Sequence, residues 1–557
     1  MTWTPLARLT DLADATRLTA GAVTLIRNHD TWHAIASRCP HMGYPMEKST
    51  LRDGVVTCAW HQWEFDLATG GCYRGACADL PVYPLRIVDG RVEVDLTGSE
   101  LHLPAAALGR LRDRLLEGDP YQIARSLAEC LEHGLTPQDI ARAVAEHGFA
   151  HAIAAHRSAQ ATAELIDVVE GARCAERFGA RDRILPLLHG TLMVGNGVGS
   201  RPAVIPLPHA GTPQERTQLL GRYIEDPSAL AIERLLCDWP ASDTALPGRL
   251  LELAAQPRFL PSPSVFIDLI DALDVATWLG SGFHAQRAAL IAWILGQRRA
   301  DPSVEERAAI GFLERHLPTL PEAPAVPTAC TLALLAPVAA AGSAEEALAH
   351  VWGLLTRVPV SPLSVIDCFA QLEARRLAKL RPNNGGLWGT PVLGIRQCDA
   401  WARAAPLVSH RTLVLGALQC AWHAFTSRWL AQGEPWAEAP AAPTTSAAGL
   451  MEAFTANDVD AARGAAVALA AGARQPDGSW AAVLRPLLEE DLEGGRLRFL
   501  AAVLRSQARQ EEWQPWIAGA VSHALDQRGS HDRSAAARFG RSMLARKAGA
   551  AGAAAEV

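Results

Sequence analysis

Two short segments near the N-terminus bring together residue types that bind transition metals. The first segment reads Cys39-Pro40-His41 and the second reads Cys58-Ala59-Trp60-His61. Thiolates and imidazoles are common ligands of iron and zinc, and each segment supplies one of each. Because 16 residues separate His41 from Cys58, the two segments are close enough in sequence to lie on neighbouring loops. The spacing predicts a metal centre with mixed sulfur and nitrogen ligands.

The elements around these ligands are predicted to be short β-strands. Residues 23–26 and 32–35 are apolar runs separated by the turn signal Asn28-His29-Asp30. Asp53-Gly54, between the two ligand segments, and Asp89-Gly90 are dipeptides typical of tight hairpin turns. We therefore expect residues 1–97 to form an all-β domain that presents each ligand pair at a hairpin end.

The ligand segments and their flanks resemble the Rieske family of ferredoxins and aromatic-ring oxygenases. Residues 63–71 resemble the strand and turn that follow the second ligand loop in that family, and residues 80–85 resemble its return strand. The resemblance covers residues 1–97, under a fifth of the chain. It implies a [2Fe–2S] cluster bound by Cys39, His41, Cys58 and His61, with the two thiolates on one iron and the two imidazoles on the other. A zinc site built from the same four residues is the alternative.

One departure from the pattern indicates the subtype. Rieske proteins of respiratory complexes carry an additional cysteine in each loop, whereas this chain has Tyr44 in one loop and Ala59 or Trp60 in the other. The resemblance is therefore to the ferredoxin and oxygenase type, and implies a potential towards the low end of roughly −150 to +300 mV. Cys72 and Cys77 are expected to be bystanders rather than ligands.

The composition changes near Leu101, after which alanine and leucine recur with helical periodicity. At 557 residues the chain is too long for one hydrophobic core, so we expect a multi-domain protein: an all-β Rieske domain followed by a large, mostly all-α domain. A division of the helical part into two subdomains stays open. The predicted bounds are 1–97 for the Rieske domain, 98–105 for a linker, 106–545 for the helical domain, 438–446 for a subdomain break, and 548–557 for a disordered tail.

Charge and hydropathy exclude some partners. The formal net charge is −7 without a long basic run, so we expect neither nucleic acid nor membrane as a partner. No uninterrupted apolar stretch reaches roughly 18 residues, and the chain does not begin with a signal-peptide pattern, so a cytoplasmic location is expected. The 11 cysteines are too dispersed for a disulfide-stabilised secreted scaffold.

Histidines and acidic residues concentrate in one part of the helical region and suggest a second metal site. The catalytic domain of a Rieske oxygenase binds iron through an acidic residue, a histidine three positions later and a second histidine five positions after that. His151 and His156 have the spacing of the two histidines, but Gly148 stands where the acidic residue should be. That fold also contains a large sheet, so it is not expected in this helical sequence. A different non-haem iron or haem site between helices remains an open hypothesis. The candidate ligands are His147, His151, His156 and His189; His151, His156 and Asp167 are the candidate catalytic residues.

Two functions fit these observations. The first is an oxidoreductase in which the cluster passes electrons to a helical domain that oxidises or oxygenates a small organic molecule. The alternative is a ferredoxin-like carrier or redox sensor whose helical domain binds a partner or ligand. Both require a separate reductase or ferredoxin as electron donor, because no glycine-rich nucleotide loop follows a strand.

Overall fold

The computed structural model of the chain describes the larger part of its residues. By number these are 3–13, 15–41, 43–73, 79–96, 104–150, 159–192, 194, 205–207, 211–240, 242–259, 263–280, 284–296, 301–322, 327–358, 360–380, 389–431, 447–456, 458–472, 488, 496–510, 514–526, 536 and 540–541.

The chain forms two compact units, Met1–Thr136 and Pro137–Val557. Strands come first and helices follow, which confirms the predicted fold class. The first unit contains ten strands, two α-helices and two short 3-10 helices among its described residues. The second unit is helical across its described residues, apart from one isolated parallel bridge between Thr328 and Val360.

The strands of the first unit are short and form three antiparallel sheets. Their orders are β1-β10-β9, β2-β3-β4-β8 and β5-β6-β7. The strand bounds are β1 Trp3–Arg8, β2 Arg17–Ala20, β3 Val23–Asn28, β4 Thr31–Ala36, β5 Thr50–Arg52, β6 Val55–Thr57, β7 Glu64–Asp66, β8 Val82–Tyr83, β9 Leu85–Val88 and β10 Arg91–Asp95.

Tight turns set the register of these sheets at the predicted positions. Arg52 pairs with Val55 across Asp53-Gly54, and Val88 pairs with Arg91 across Asp89-Gly90. All four turn residues have positive φ, between 49° and 78°. Two successive left-handed residues match the right-handed twist of the flanking strands, which explains the Asp-Gly sequences.

Two apolar clusters fill the first unit. One lies beneath the metal-ligand segments and includes Ile35, Met46, Phe65 and Leu80, together with both ligand cysteines. The other contains Leu25, Val92 and Val94 among its members, and lies between the first strands and the last. The ligand cysteines are thus part of a packed core rather than of exposed loops.

Two helices complete the first unit: α1 Pro104–Glu117 and α2 Pro120–Glu132. Asp119 caps α2 by accepting hydrogen bonds from the N–H groups of Tyr121 and Gln122. Arg110 on α1 pairs with Glu129 on α2 at 3.0 Å. The compact unit thus extends beyond the sequence-predicted linker at 98–105, and α1 begins at Pro104. The predicted boundary itself stays a prediction.

The second unit is built from helices, several of which begin at a capping serine or threonine. Ser303 forms a capping box with Glu306 at the start of one of these helices. The bounds are α3 Pro137–Ala150, α4 Ala159–Ala175, α5 Ile184–Leu192, α6 Pro213–Glu225, α7 Ala229–Cys237, α8 Leu246–Ala254, α9 Pro263–Leu279, α10 His284–Leu295, α11 Val304–His316, α12 Leu332–Ala340, α13 Ala344–Thr356, α14 Pro362–Lys379, α15 Gly389–Ala404, α16 His410–Thr426, α17 Ala447–Ala456, α18 Val459–Gly472, α19 Arg496–Gln507 and α20 Gln514–Asp526.

Some sequence predictions fall on parts of the chain outside the described residues. These are the subdomain break at 438–446, the tail at 548–557, and Cys77. Within the described helices, none combines the length and apolar character that a membrane span requires.

Candidate metal centre

Two loops of the first unit carry the four predicted ligands. Loop 1, residues 37–49, joins β4 to β5 and contains Cys39 and His41. Loop 2, residues 58–63, joins β6 to β7 and contains Cys58 and His61. Because the β5–β6 hairpin links the loops and β6 pairs with β7, both loops are fixed relative to one small sheet.

The two loops share one backbone arrangement. The Cys39 carbonyl accepts from the Gly43 N–H, and the Cys39 N–H donates to the Tyr44 carbonyl, both at 2.8 Å. Loop 2 repeats this pattern: the Cys58 carbonyl accepts from Gln62 at 3.0 Å, and its N–H donates to Trp63 at 2.8 Å.

The fifth residue of each arrangement has a left-handed conformation. Gly43 has φ of 72°, which glycine adopts without strain. Gln62 has φ of 59° and is therefore held in a conformation that its side chain disfavours. Each loop is a tight turn closed by main-chain hydrogen bonds, which fix the backbone positions of its cysteine and histidine.

The four ligands separate into a buried pair and a surface pair. Cys39 and Cys58 are 2% and 1% exposed, and their thiols are in hydrogen-bond contact. His41 is half-buried and His61 is exposed. Their Nδ1 atoms lie 3.1 Å apart, with the two rings edge to face. Two sulfurs therefore converge inside the fold, and two imidazole nitrogens converge above them.

Electrostatics at the site favour neutral imidazole. Burial, the neighbouring His61 and the Arg125 guanidinium all lower the pKa of His41. A neutral ring leaves its nitrogen lone pair available for a metal. Burial raises the pKa of the Cys58 thiol, so its thiolate needs a cation beside it. Paired sulfurs below and paired nitrogens above fit a [2Fe–2S] cluster with two ligands of each type.

Comparison with known proteins agrees with this arrangement. The family model described as Rieske [2Fe-2S] domain matches residues 2–84. The anthranilate 1,2-dioxygenase ferredoxin subunit of Burkholderia cepacia is 35% identical over 78 residues, which are 13% of this chain and 69% of that protein. The chain belongs to the Rieske [2Fe–2S] family. The Rieske domain supports an electron-carrier function, whereas the family match ends at residue 84 and leaves the helical unit unassigned.

Other similarities are narrower. Apoptosis-inducing factor 3 of Homo sapiens is 40% identical over 64 residues, or 12% of this chain, and the chain spans only 9% of its length. A solved structure titled as a putative NADH-dependent nitrite reductase small subunit from Mycobacterium tuberculosis is 26% identical. It covers 17% of this chain and 93% of that one, with a TM-score of 0.15.

Aromatic rings surround the histidine edge of the Rieske domain. The Trp60 ring lies 4.2 Å from the His61 ring, and the Trp63 ring lies 5.1 Å from the His41 ring. Trp63 is partly buried against the core, whereas Trp60 is 52% exposed. The imidazole edges are therefore accessible from one side and flanked by π-systems on the other.

A residue that the sequence motifs do not indicate also contacts loop 1. The Arg125 Nη2 atom, on α2, donates to the carbonyl oxygen of Pro40 at 2.8 Å. Pro40 lies between two of the ligands, and the Arg125 side chain is only 10% exposed. An arginine on a buried helix face is unusual in sequence. This unusual position could have drawn attention to Arg125. The sequence pattern does not, however, reveal that its partner is Pro40, 85 residues away.

Only some of the residues predicted for a second site in the helical unit lie within the described residues. His151 and His156 lie outside the described residues. His147 is buried on α3. His189, on α5, places Nε2 at 2.7 Å from the Leu488 carbonyl, and buried Asp167 accepts from Arg498 at 3.0 Å. Within the described residues of the helical unit, no three His, Cys, Asp or Glu side chains form a group suited to a metal ion.

The buried carboxylates of the helical unit instead pair with arginines. We define the ionic cluster as nine residues on α4, α9, α15 and α19: Glu170, Arg173, Asp268, Asp271, Asp274, Arg396, Asp399, Arg403 and Arg505. The Arg505 guanidinium lies 2.9 Å from both Glu170 and Asp399. Asp271 pairs with Arg403 and with Arg396. Six of the nine residues line a cavity of only about 190 Å³, so the cluster is closely packed, and removal of one partner from a buried pair is expected to destabilise the fold.

Proposed function

We propose that this protein is an oxidoreductase component that carries single electrons on a Rieske cluster between separate redox proteins. The observation that supports this most strongly is the approach of the His41 and His61 Nδ1 atoms to 3.1 Å above two buried thiols. The cluster, when bound, supplies one-electron transfer. The chain supplies the ligands, excludes water from the sulfurs and leaves the imidazole edges exposed.

The electron donor is proposed to be a separate reductase or ferredoxin. The relative from Burkholderia cepacia is named as the ferredoxin subunit of a dioxygenase, so it belongs to a system of several components. Exposed imidazole edges provide a short path to a partner that docks there. The rings of Trp60 and His61 offer an apolar, partly exposed surface for such a contact.

The helical unit is proposed to bind a ligand or partner rather than to contain a second iron. The Asp167 carboxylate is engaged by Arg498, and His189 Nε2 is engaged by a main-chain carbonyl. These contacts engage one predicted metal ligand, His189, and one predicted catalytic residue, Asp167, without a metal. Oxidation or oxygenation of a small molecule in this unit is the second candidate function, motivated by His151 and His156.

Metal content and spectroscopy test the electron-carrier proposal. The purified protein should contain two irons per chain, and its reduced form should give the low-average-g signal of a cluster with two histidine ligands. Substitution His61→Cys should lower the potential, because a thiolate replaces a neutral ligand. Colourless protein with stoichiometric zinc would overturn the proposal.

Variants of the second candidate site separate the two functions. His151→Ala and His156→Ala should retain the cluster signal and the iron content of the parent chain. A third iron per chain that disappears in these variants, while the [2Fe–2S] signal persists, would instead support the oxidative helical domain. The same preparations therefore measure both sites.

A further inference from the structure

A cleft in the helical unit brings two thiols to one wall. Its volume is about 560 Å³, within the usual range of small-molecule sites. Cys330 and Cys368 line it, and each is 8% exposed. The remaining wall is largely polar and includes Ser364, Gln371 and Arg375. Each thiol is thus buried but borders an open polar cleft, whereas a cysteine enclosed in a core borders none.

Backbone contacts place Cys330 against one face of α14. The Ser361 N–H donates to the Thr328 carbonyl at 3.0 Å, beside the parallel bridge between Thr328 and Val360. Two residues later, the Cys330 N–H donates to the Ser364 Oγ atom at 2.6 Å. Cys368 lies four residues beyond Ser364, on the same helix face and one turn further along. The helix period therefore places Cys368 one turn from the residue that Cys330 contacts.

The thiols differ in their hydrogen bonds. The Cys368 S–H donates to the Cys330 sulfur, which lowers the pKa of Cys330 and raises that of Cys368. The Cys330 sulfur also lies 3.6 Å from the Thr331 carbonyl. A thiol whose anion is favoured attacks more readily, and a protonated neighbour within reach is suited to resolve the product.

We propose that Cys330 and Cys368 form a site of thiol–disulfide exchange that reduces polar, low-molecular-weight disulfides. The Cys330 thiolate attacks one sulfur of RS–SR, so that a mixed disulfide forms and RS⁻ leaves. Cys368 loses its proton and attacks the Cys330 sulfur, which forms the intramolecular disulfide and releases the second RS⁻. In total, two thiols and RS–SR give one protein disulfide and two RSH. This inference stands independently of the electron-carrier proposal.

The substrate class follows from the wall of the cleft. Gln371 and Arg375 lie three and seven residues beyond Cys368 and therefore share its helix face. Together they present an amide and a guanidinium beside the thiols. These groups suit polar substituents on a small disulfide better than a long apolar chain.

The same unit contains a control pair. Cys398 on α15 and Cys420 on α16 have their sulfurs 3.7 Å apart, but both are 2% exposed within the apolar core. Neither residue lines the cleft. The control pair thus has two adjacent thiols that border no part of the cleft, and separates reactivity that comes from the cleft from reactivity that comes from proximity.

The test uses the full chain with its cluster. The protein is reduced anaerobically, separated from reductant and treated with bis(2-hydroxyethyl) disulfide. Acid quenching, N-ethylmaleimide labelling and peptide mass spectrometry then follow each cysteine. We expect a Cys330–Cys368 disulfide and two equivalents of mercaptoethanol, formed at least tenfold faster than any product at Cys398 or Cys420. Free thiols at Cys330 and Cys368 after treatment, or equal rates at both pairs, would overturn the proposal.

Two variants test the assigned order of attack. In Cys368→Ser, mercaptoethanol should remain bound to Cys330 as a stable mixed disulfide, because the resolving thiol is gone. In Cys330→Ser, the reaction at Cys368 should slow at least tenfold. If Cys330→Ser reacts as fast as the parent chain, Cys330 is not the attacking thiol and the proposed site is wrong.

Discussion

The Rieske domain and the helical unit both bury polar groups, but they do so by different means. In the Rieske domain the side chains that meet are close in sequence: His41 and His61 are 20 residues apart. In the ionic cluster, Arg505 pairs with Asp399 across 106 residues and with Glu170 across 335. The first arrangement is set by turns, whereas the second exists only when distant helices pack. Local geometry therefore supports chemistry in one region, and long-range charge pairing supports the fold in the other.

The largest expected effect is loss of the cluster in Cys58→Ser. A buried serine hydroxyl replaces one of two thiolates, so iron content and visible absorbance should fall at least tenfold. Cys72→Ser is the matched control, because Cys72 lies beside the same core but outside both loops, and it should retain the cluster. Full iron content in Cys58→Ser would remove this cysteine from the ligand set.

Within the ionic cluster, substitution of Asp271 should cause the largest loss of stability. Arg403 and Arg396 hold the pKa of this buried carboxyl at about 2, although burial alone would raise it. Its stabilisation is therefore present above a pH of about 4 and is lost as the pH falls towards 2. At neutral pH, Asp271→Asn removes the carboxylate that pairs with Arg396 and Arg403 inside the ionic cluster, and should cost about 3 kcal/mol. Urea denaturation followed by helical circular dichroism measures this cost.

Asp268, one turn earlier on α9, is the matched control for that experiment. Burial raises its pKa to about 6 despite Arg396 nearby. The charged form is thus disfavoured in the folded protein, and the resulting cost appears as the pH rises from about 4 through 6. Asp268→Asn should leave stability at neutral pH unchanged or increased. If both variants lose equal stability, charge pairing at Asp271 is not what distinguishes them.

The comparison also explains what sequence reasoning found and missed. The convergence of Cys39, His41, Cys58 and His61 and the Asp-Gly hairpins were predictable because each depends on residues that are close in sequence. The need of Asp167 for a partner was foreseeable from its apolar neighbours, but Arg498 was not, because it lies 331 residues away. Arg125 was missed for the same reason. Contacts between helices depend on packing geometry, which the period of one helix does not determine.

A smaller effect is expected at Gly70, in the turn after β7. Its φ is 80°, and a Cβ atom there would lie 1.9 Å from the Leu80 carbonyl oxygen. Backbone strain in Gly70→Ala should destabilise the Rieske domain by about 1–3 kcal/mol. The clash of the new Cβ atom with the Leu80 carbonyl oxygen should add to this destabilisation. Gly71→Ala is the control, because its Cβ would meet only Thr69 Oγ1 at 3.4 Å. Loss of cluster absorbance on heating measures both; equal melting temperatures would contradict the expected strain.

The smallest effect is expected at Arg125, where a helix outside the family match contacts the loop that holds two ligands. Its positive charge lies beside loop 1 and favours the more negative, reduced cluster, so Arg125→Met should lower the potential while retaining the cluster. Arg125→Lys keeps the charge and should shift the potential less. Arg52→Met removes a side chain that is 93% exposed and should leave the potential unchanged. If Arg125→Met and Arg52→Met have the same potential, the contact with Pro40 is structural only, and the Rieske domain sets its potential without α2.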